Sequence, residues 1–373
     1  MPPTTSPTRT LRYLANPGAG TAGHEHISHL CMARRLAEVL GMSFGGEWDD
    51  TMAPSTAPPY VVPGRTLSTA QAAACGIRGI DDLFGGVVPH EFAGTKIITH
   101  GLVQHDAPAP PGWCSAFATA VRGVVLLGYS VFSLADLQLA TSQLLSHGRL
   151  RLKHPGGTGG QGQQVIGSER DLLAFVQGMT EASLGREGLV VEQDLAEAVT
   201  FSIGQVRLGG LCMSYCGSQR STLDQYGASV YGGSALHCVR GDFDALDQLD
   251  PDAGMRLAID QAKTYHQAAQ RCFPGIILSR ANYDVAQGRD ARGRPRSGVL
   301  EQSWRIGGAS AAEIEAAAIL LQQPARRTVR AITVEIHGPD AMAPPGATVL
   351  FHGDDPQSGP LLKYAQVISH AGT

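Results

Sequence analysis

The chain has 373 residues, of which 43% are hydrophobic and 17% charged, and its formal net charge is -4. This length exceeds the usual single core of about 100 to 200 residues and predicts two or three folded units with room for a cleft between them. The mild acidity argues against a polyanion-binding surface, so nucleic acid is not an expected partner, and the apolar content argues against a disordered chain.

The opening MPPTTSPTRT has no apolar core segment, and no stretch reaches the roughly 18 apolar residues of a spanning helix. A soluble, cytoplasmic protein with no membrane partner is expected. LRYLA (11–15) then reads as a strand, NPGAGTAGHE as a turn, and ISHLCMARRLAEVLGM as an amphipathic helix with Leu30, Ala33, Leu36 and Leu40 on one side. Gly18, Gly20 and Gly23 stand in G-x-G-x-x-G spacing, the fingerprint of a dinucleotide fold. The Pro-rich WDDTMAPSTAPP follows in place of a convincing second βα unit. His24, His26 and His29 miss the H-E-x-x-H register because Ser28 stands where the second histidine belongs, so a solvated helix start is expected.

From Pro59 to about Ala107, the strand YVVPG, the helix TAQAAACG and the segment EFAGTKIITHGLV continue an α/β pattern, and APAPPGWC reads as a domain boundary. An apolar-periodic segment, Phe132 to Leu152, runs into RLKHPGGTGGQGQQVI, where five glycines fall within positions 156–162. A helix over Glu169 to Met179 and a strand GLVVEQDL follow. Residues 199–240 alternate like antiparallel strands about a Gly-Gly turn. Next come a helix over Asp252 to Arg271 and a strand pair, IILSRANYDVAQ and SGVLEQSWRI, joined by GRDARGRPR. A helix and two short strands around Pro-rich loops are expected over about the last 45 residues. The seven cysteines are scattered; Cys212 and Cys216 share one strand face, which reads as ordinary packing in a reducing compartment.

Three features bear on one site. Lys153 ends a strand before the glycine loop, where an ammonium and successive backbone N–H groups can line one phosphate. A ligand-free flexible hairpin is the alternative. Asp284 and Glu301 fall on consecutive strands, where two carboxylates can meet to hold Mg²⁺ against nucleotide phosphates. Glu192 ends a strand that could line an adenine. Taken singly, each is as readily a surface or salt-bridged residue; their order along the chain gives them weight.

In that order the chain resembles the ATP-grasp superfamily over roughly residues 92–312. Its overall wording is similar to a proteobacterial family of unknown function. The resemblance implies an α+β fold with the nucleotide held between two α+β lobes. Residues 1–107 would form an α/β N-terminal domain, 108–198 the small lobe with its lid, 199–325 the large lobe, and 326–373 an extension. ATP and Mg²⁺ are the implied cofactors. Lys96 and Lys153 would contact phosphates, and Gly156, Gly157, Gly159, Gly160 and Gly162 would form the lid. Glu192, Gln193, Asp194 and Leu195 would hold adenine, while Asp284, Glu301 and Ser303 would bind the metal. Arg305, with Lys153, would stabilise charge on the transferring phosphoryl.

The sequence departs from that pattern in places. Ser303 stands where an asparagine is usual, so the second metal position is weaker or completed by Gln302. His154 is inserted after the lysine, and Glu197 is the nearest acid to the ribose position. The implied reaction is ATP-dependent ligation of a small carboxylate to an amine, or less often a thiol, through an acyl phosphate. Arg207, Arg220 and Arg280 are candidate contacts for the substrate carboxylate. A catalytically degenerate ATP-binding module, a carboxylase-like branch of the superfamily and an NAD-dependent oxidoreductase using the N-terminal glycines remain alternatives. The segment GATVLFHGDDPQSGPLLKYAQVI would cap the core, with a pocket extension or a homodimer contact as alternatives.

Overall fold

The computed structural model describes residues 9–16, 23–49, 58–157 and 162–368. Gly18 and Gly20 of the N-terminal glycine turn, and Gly159 and Gly160 of the expected lid, lie outside them. The chain opens with β1 (Thr10–Leu14), α1 (His24–Leu40), β2 (Ser43–Glu47), β3 (Tyr60–Pro63), β4 (Leu67–Ser68), α2 (Thr69–Ala74) and β5 (Gly86–Val88). β1 lies between β2 and β3 and runs parallel to both. A further strand therefore does follow α1, contrary to the expectation from sequence; its SFGGE is too short and glycine-rich to read as one. In EFAGTKIITHGLV two 3-10 turns, Glu91–Gly94 and Lys96–Thr99, replace regular structure.

The next elements are α3 (Ser115–Val121), β6 (Gly128–Val131), α4 (Leu134–Leu145), β7 (Leu150–Lys153), β8 (Gln163–Ile166), α5 (Glu169–Phe175), α6 (Glu181–Glu187) and β9 (Leu189–Gln193). Their strands form an antiparallel sheet in the order β6-β9-β7-β8. The helix expected over Glu169–Met179 stops at Phe175 and a second begins at Glu181. Thr180 caps that second helix by accepting the Ser183 N–H.

The remaining elements are β10 (Ala196–Leu208), β11 (Leu211–Leu223), β12 (Ser229–Arg240), α7 (Ala253–Cys272), β13 (Ile277–Leu278), β14 (Arg280–Arg289), β15 (Pro295–Ser303), α8 (Ser310–Gln322), β16 (Thr328–His337), β17 (Thr348–Asp355) and β18 (Gly359–Ile368). Eight of these strands form one antiparallel sheet, ordered β15-β14-β10-β11-β12-β16-β18-β17. Gly209 and Gly210, with φ of 54° and 78°, make the tight turn between β10 and β11. The C-terminus differs from expectation: instead of a helix and two short strands, it gives three strands of 8 to 10 residues that extend the large sheet.

Strand alternation sorts the large sheet's two faces. Ile203, Cys216, Val239 and Tyr283 join the core under α7, whereas Val206, Met213, Leu236 and Ala331 join the core shared with α1, α8 and β1. All seven cysteines are free thiols. Among the described residues no helix is long and apolar enough to cross a membrane.

Helix α8 (SAAEIEAAAILLQ) is buried along most of its length, which its alanines allow and its acids at first sight forbid. Glu313, 0% exposed, receives the Arg280 guanidinium in a two-pronged pair, Nε to Oε2 at 2.9 Å and Nη2 to Oε1 at 2.7 Å. Glu315 takes Arg35 of α1 in the same way, at 2.9 and 3.0 Å. A buried charge left without its partner typically costs about 3–5 kcal/mol. Glu313→Ala is therefore expected to lower the unfolding free energy from denaturant titration by an amount of that order, and pairing it with Arg280→Met to recover most of the loss. A single variant as stable as the native chain would refute this.

Candidate functional site

The glycine loop is the tip of the β7–β8 hairpin. His154 N–H donates to the Gly162 carbonyl at 2.9 Å, Gly157 N–H donates to the His154 carbonyl at 3.1 Å, and Gly162 turns with φ of 67°. Gly157 has a second partner: its carbonyl accepts from Lys96 Nζ at 2.8 Å. The same ammonium is paired with the Glu301 carboxylate on β15. Lys96 is 4% exposed, so one buried cation joins the glycine loop of the β7–β8 hairpin to the acidic strand β15 of the large sheet. Three residues singled out from sequence, 61 and 144 positions apart along the chain, thus meet at one point.

Lys153 and Glu192 also meet. Register pairs Lys153 of β7 with Val190 of β9, and the Lys153 ammonium reaches the Glu192 carboxylate. Both are almost wholly buried, and His100 Nε2 lies 3.1 Å from the other Glu192 oxygen. Burial alone would raise the Glu192 carboxyl, but the Lys153 charge and the His100 bond outweigh it and hold the group down at about 2. Glu192 is therefore a counter-ion fixed beside the lysine. The remainder of the expected adenine strand is also tied down. Gln193 N–H donates to the Leu127 carbonyl at 2.8 Å, and the Asp194 carboxylate takes Arg151 Nη2 at 2.7 Å. Leu195, half-buried, lies against Gly288 of β14. Glu197 sits on the surface, 3.5 Å from Arg289.

On the large sheet Asp284 and Glu301 are directly opposed across β14 and β15. Gln219 and Asn282 donate to Asp284 Oδ1 at 2.7 and 2.9 Å. Burial, and then the Glu301 charge, push the Asp284 carboxyl up to about 6. Two acids in register, one resisting ionisation through burial and then through the other's charge, form a hard-oxygen donor pair suited to a divalent cation. Among the described residues no group of three or more His, Cys, Asp or Glu side chains is placed to hold a metal ion.

Ser303 and Gln302 are engaged elsewhere. Ser303 Oγ accepts from Arg280 Nη1 at 3.1 Å, which puts a guanidinium against it. Gln302 points to the other face, donating to the Ala93 and Thr95 carbonyls at 3.2 and 2.6 Å and accepting from the Tyr265 hydroxyl at 2.8 Å. The amide that the resemblance leads one to seek at 303 stands across the ladder, because Asn282 is the register partner of Ser303. Asn282, Gln219 and His100 were not legible from sequence. Asn282, two residues before Asp284 and so on its face of the strand, carried the only signal.

Arg305 follows the end of β15, half-buried, with Nη1 donating to the Ile306 carbonyl at 2.6 Å. Burial lowers it from the usual guanidinium value, against the pull of Glu25 on α1. The three candidate substrate arginines take other places. Arg280 is 1% exposed and spent on Glu313, Ser303 and the Arg305 carbonyl. Arg207 and Arg220 are exposed, and alternation turns both away from the Asp284 face of the sheet. At the start of α1, His26 and His29 are buried rather than solvated: His29 bonds to the Tyr13 hydroxyl at 3.1 Å, and His26 pairs with Glu47 at 3.3 Å.

Solved structures share this architecture. The chain is similar to N5-carboxyaminoimidazole synthase from Aspergillus clavatus, crystallised with ADP and 5-aminoimidazole ribonucleotide, at 12% identity over 97% of this chain and 94% of that one, with a TM-score of 0.52. It is similar to D-alanyl-alanine synthetase A from Vibrio cholerae at 10% identity over 86% and 95%, with a TM-score of 0.51. It is also similar to the biotin carboxylase domain of the 2-oxoglutarate carboxylase from Hydrogenobacter thermophilus, at 13% identity over 97% and 86%, with a TM-score of 0.50. The fold is thus the α+β ATP-grasp fold. No curated protein sequence matches the chain. Residues 14–365 match a single family along almost the whole chain, and on that match it belongs to the family described as protein of unknown function, DUF3182.

Proposed function

We propose that this protein binds ATP with Mg²⁺ between its two lobes and ligates a small carboxylate to an amine. The observation that carries the reading is Lys96, whose buried ammonium bridges the glycine lid and the Glu301 strand, with Asp284 in register beside it. A polyphosphate lying there meets Lys96 and Lys153 as cations and the backbone of the lid, Gly156, Gly157 and Gly162, as donors. Gly159 and Gly160 belong to the same lid by sequence. Glu192, Gln193, Asp194 and Leu195 border the base.

Asp284 and Glu301 would hold the metal, which supplies charge neutralisation across the phosphates when bound. Asn282 and Gln219 fix the Asp284 carboxylate in place, and Ser303 is spent on Arg280. In the proposed reaction a substrate carboxylate attacks the γ-phosphorus, the acyl phosphate is captured by an amine, and ADP and phosphate leave. No protein nucleophile is needed; Lys153 and Arg305 offset the developing charge. Arg305 lies within electrostatic reach of Glu25 on α1, which supports a carboxylate substrate bound toward the N-terminal side.

Calorimetry with Mg-ATP is the direct test. The native chain is expected to bind. Lys96→Met and Glu301→Gln are each expected to weaken binding by about tenfold or more, a change of roughly 1.4 kcal/mol per decade. NADH is expected to give no heat. A native chain that ignores ATP would sink the reading, and NADH binding would revive the glycine turn at Gly18–Gly23.

The counter-ion role of Glu192 gives a second prediction. Its carboxyl is depressed in the fold from 4.5 to about 2, so its stabilising contribution is present above about 4.5 and is lost as pH falls toward 2. Glu192→Gln should destabilise the chain at neutral pH and flatten stability across that acid window. An acid-unfolding curve parallel to that of the native chain would show that the Lys153 pair contributes nothing.

A further inference from the structure

A cleft of about 220 Å³ opens between α7, β10, β13 and the turn at Gly79 and Ile80. Its polar lining is Gln205, Arg207, His266 and Gln270, with no carboxylate among the described lining residues. Gln205 and Arg207 stand on the sheet face opposite Asp284, so the cleft is separate from the candidate nucleotide site.

Hydrogen-bond chemistry fixes what the cleft presents. Trp304 Nε1 lies 3.1 Å from the Tyr283 hydroxyl and can only donate to it. The Tyr283 hydroxyl is buried and, among the described residues, has only His266 to donate to, so it gives its own hydrogen to His266 Nδ1 at 2.8 Å. With Nδ1 accepting, the neutral imidazole carries its proton on Nε2, at the far side of the ring, where the residue lines the cleft. The ring is neutral in this state, because burial first and Arg207 second lower His266 to about 4.

Arg207 is pre-oriented as well. Its Nε donates to Gln205 Oε1 at 3.1 Å, and Gln205 is itself anchored through Nε2 to Ser214 Oγ at 3.3 Å. Among the described residues no acceptor is found for the two terminal nitrogens of Arg207 or for the Gln270 amide, and both side chains line the cleft. The site is thus a set of donors converging from a strand and a helix, with one formal positive charge and, among the described residues, no acid in its lining.

We propose that this cleft binds a small organic anion, a carboxylate or a phosphate ester, with Arg207 as its charged anchor and His266 Nε2–H and Gln270 as donors. A volume of about 220 Å³ is roughly seven times the 30 Å³ share of one water. That is room for a short-chain acid. Tyr283 precedes Asp284, and Trp304 separates Ser303 from Arg305, so the bonds that set the histidine also run between the two strands bearing the candidate metal site.

The test is thermal unfolding with inorganic phosphate and, separately, with succinate, on the native chain, Arg207→Ala and Lys96→Met. Arg207 is exposed, so its removal leaves the fold intact. The expected result is a rise in Tm with at least one anion that survives Lys96→Met and shrinks by tenfold or more in apparent affinity in Arg207→Ala. A response to phosphate alone assigns the phosphate-ester class, and to succinate alone the carboxylate class. No rise with either anion, a rise retained in Arg207→Ala, or a rise lost in Lys96→Met would overturn the proposal. None of these readouts uses ATP, so this result and the nucleotide reading stand or fall separately.

Discussion

The site hangs on one buried guanidinium. Arg280 begins β14, pairs with both oxygens of Glu313 on α8, and donates to the Ser303 carbonyl at 2.9 Å and to the Arg305 carbonyl. A charge this deeply buried has no alternative partners, so it fixes three elements at once: the first turn of α8, the end of β15 and the backbone that presents Arg305. Tyr215 extends the same network, donating to Glu313 at 2.6 Å and lying 2.8 Å from Asn282. The order of Asp284 and its supporting amides follows from this bracing, since Asn282 is held from behind by Tyr215 and Ser202.

Around that brace the two lobes place like with unlike. The four-stranded sheet contributes the hairpin with Lys153 and the glycine loop, and the eight-stranded sheet contributes Asp284 and Glu301. Lys96, from the segment that precedes the small lobe, spans the gap. A 3-10 turn serves this purpose better than a long helix: Thr95 caps it through its own hydroxyl, and Gln302 holds the Thr95 carbonyl from the β15 side. The lysine therefore leaves a backbone pinned to the very strand whose carboxylate it meets.

Much of this was legible in the sequence where local rules and tertiary demands coincide. The alternation of residues 199–240, the helix capped by Asp252 and the paired strands bearing Asp284 and Glu301 all follow period and turn chemistry, and the structure forms them. Illegible features depended on partners distant in the chain. His100 reads as an ordinary residue until Glu192 is folded against it, and Gln219 acquires its role only because β11 lies one strand beyond β10 from β14. Arg280 looked like a ligand for substrate because an arginine on a strand advertises charge, whereas Glu313, inside an alanine-rich helix, gives no sign of where it points. The C-terminal strands were hidden by their proline-rich connections, which read as loop although they merely join long strands.

Both lysines of the candidate site already hold carboxylates, Lys96 with Glu301 and Lys153 with Glu192. Seen from solution, the cleft therefore projects little positive potential, on a chain whose overall charge is already slightly negative. It does not draw stray polyanions from a distance, as an open cluster of cations would. An anion entering the candidate site would gain only at contact range, by displacing or sharing an internal partner of Lys96 or Lys153. Ionic strength, which screens distant charges most, would correspondingly have a small effect on how fast such an anion arrives.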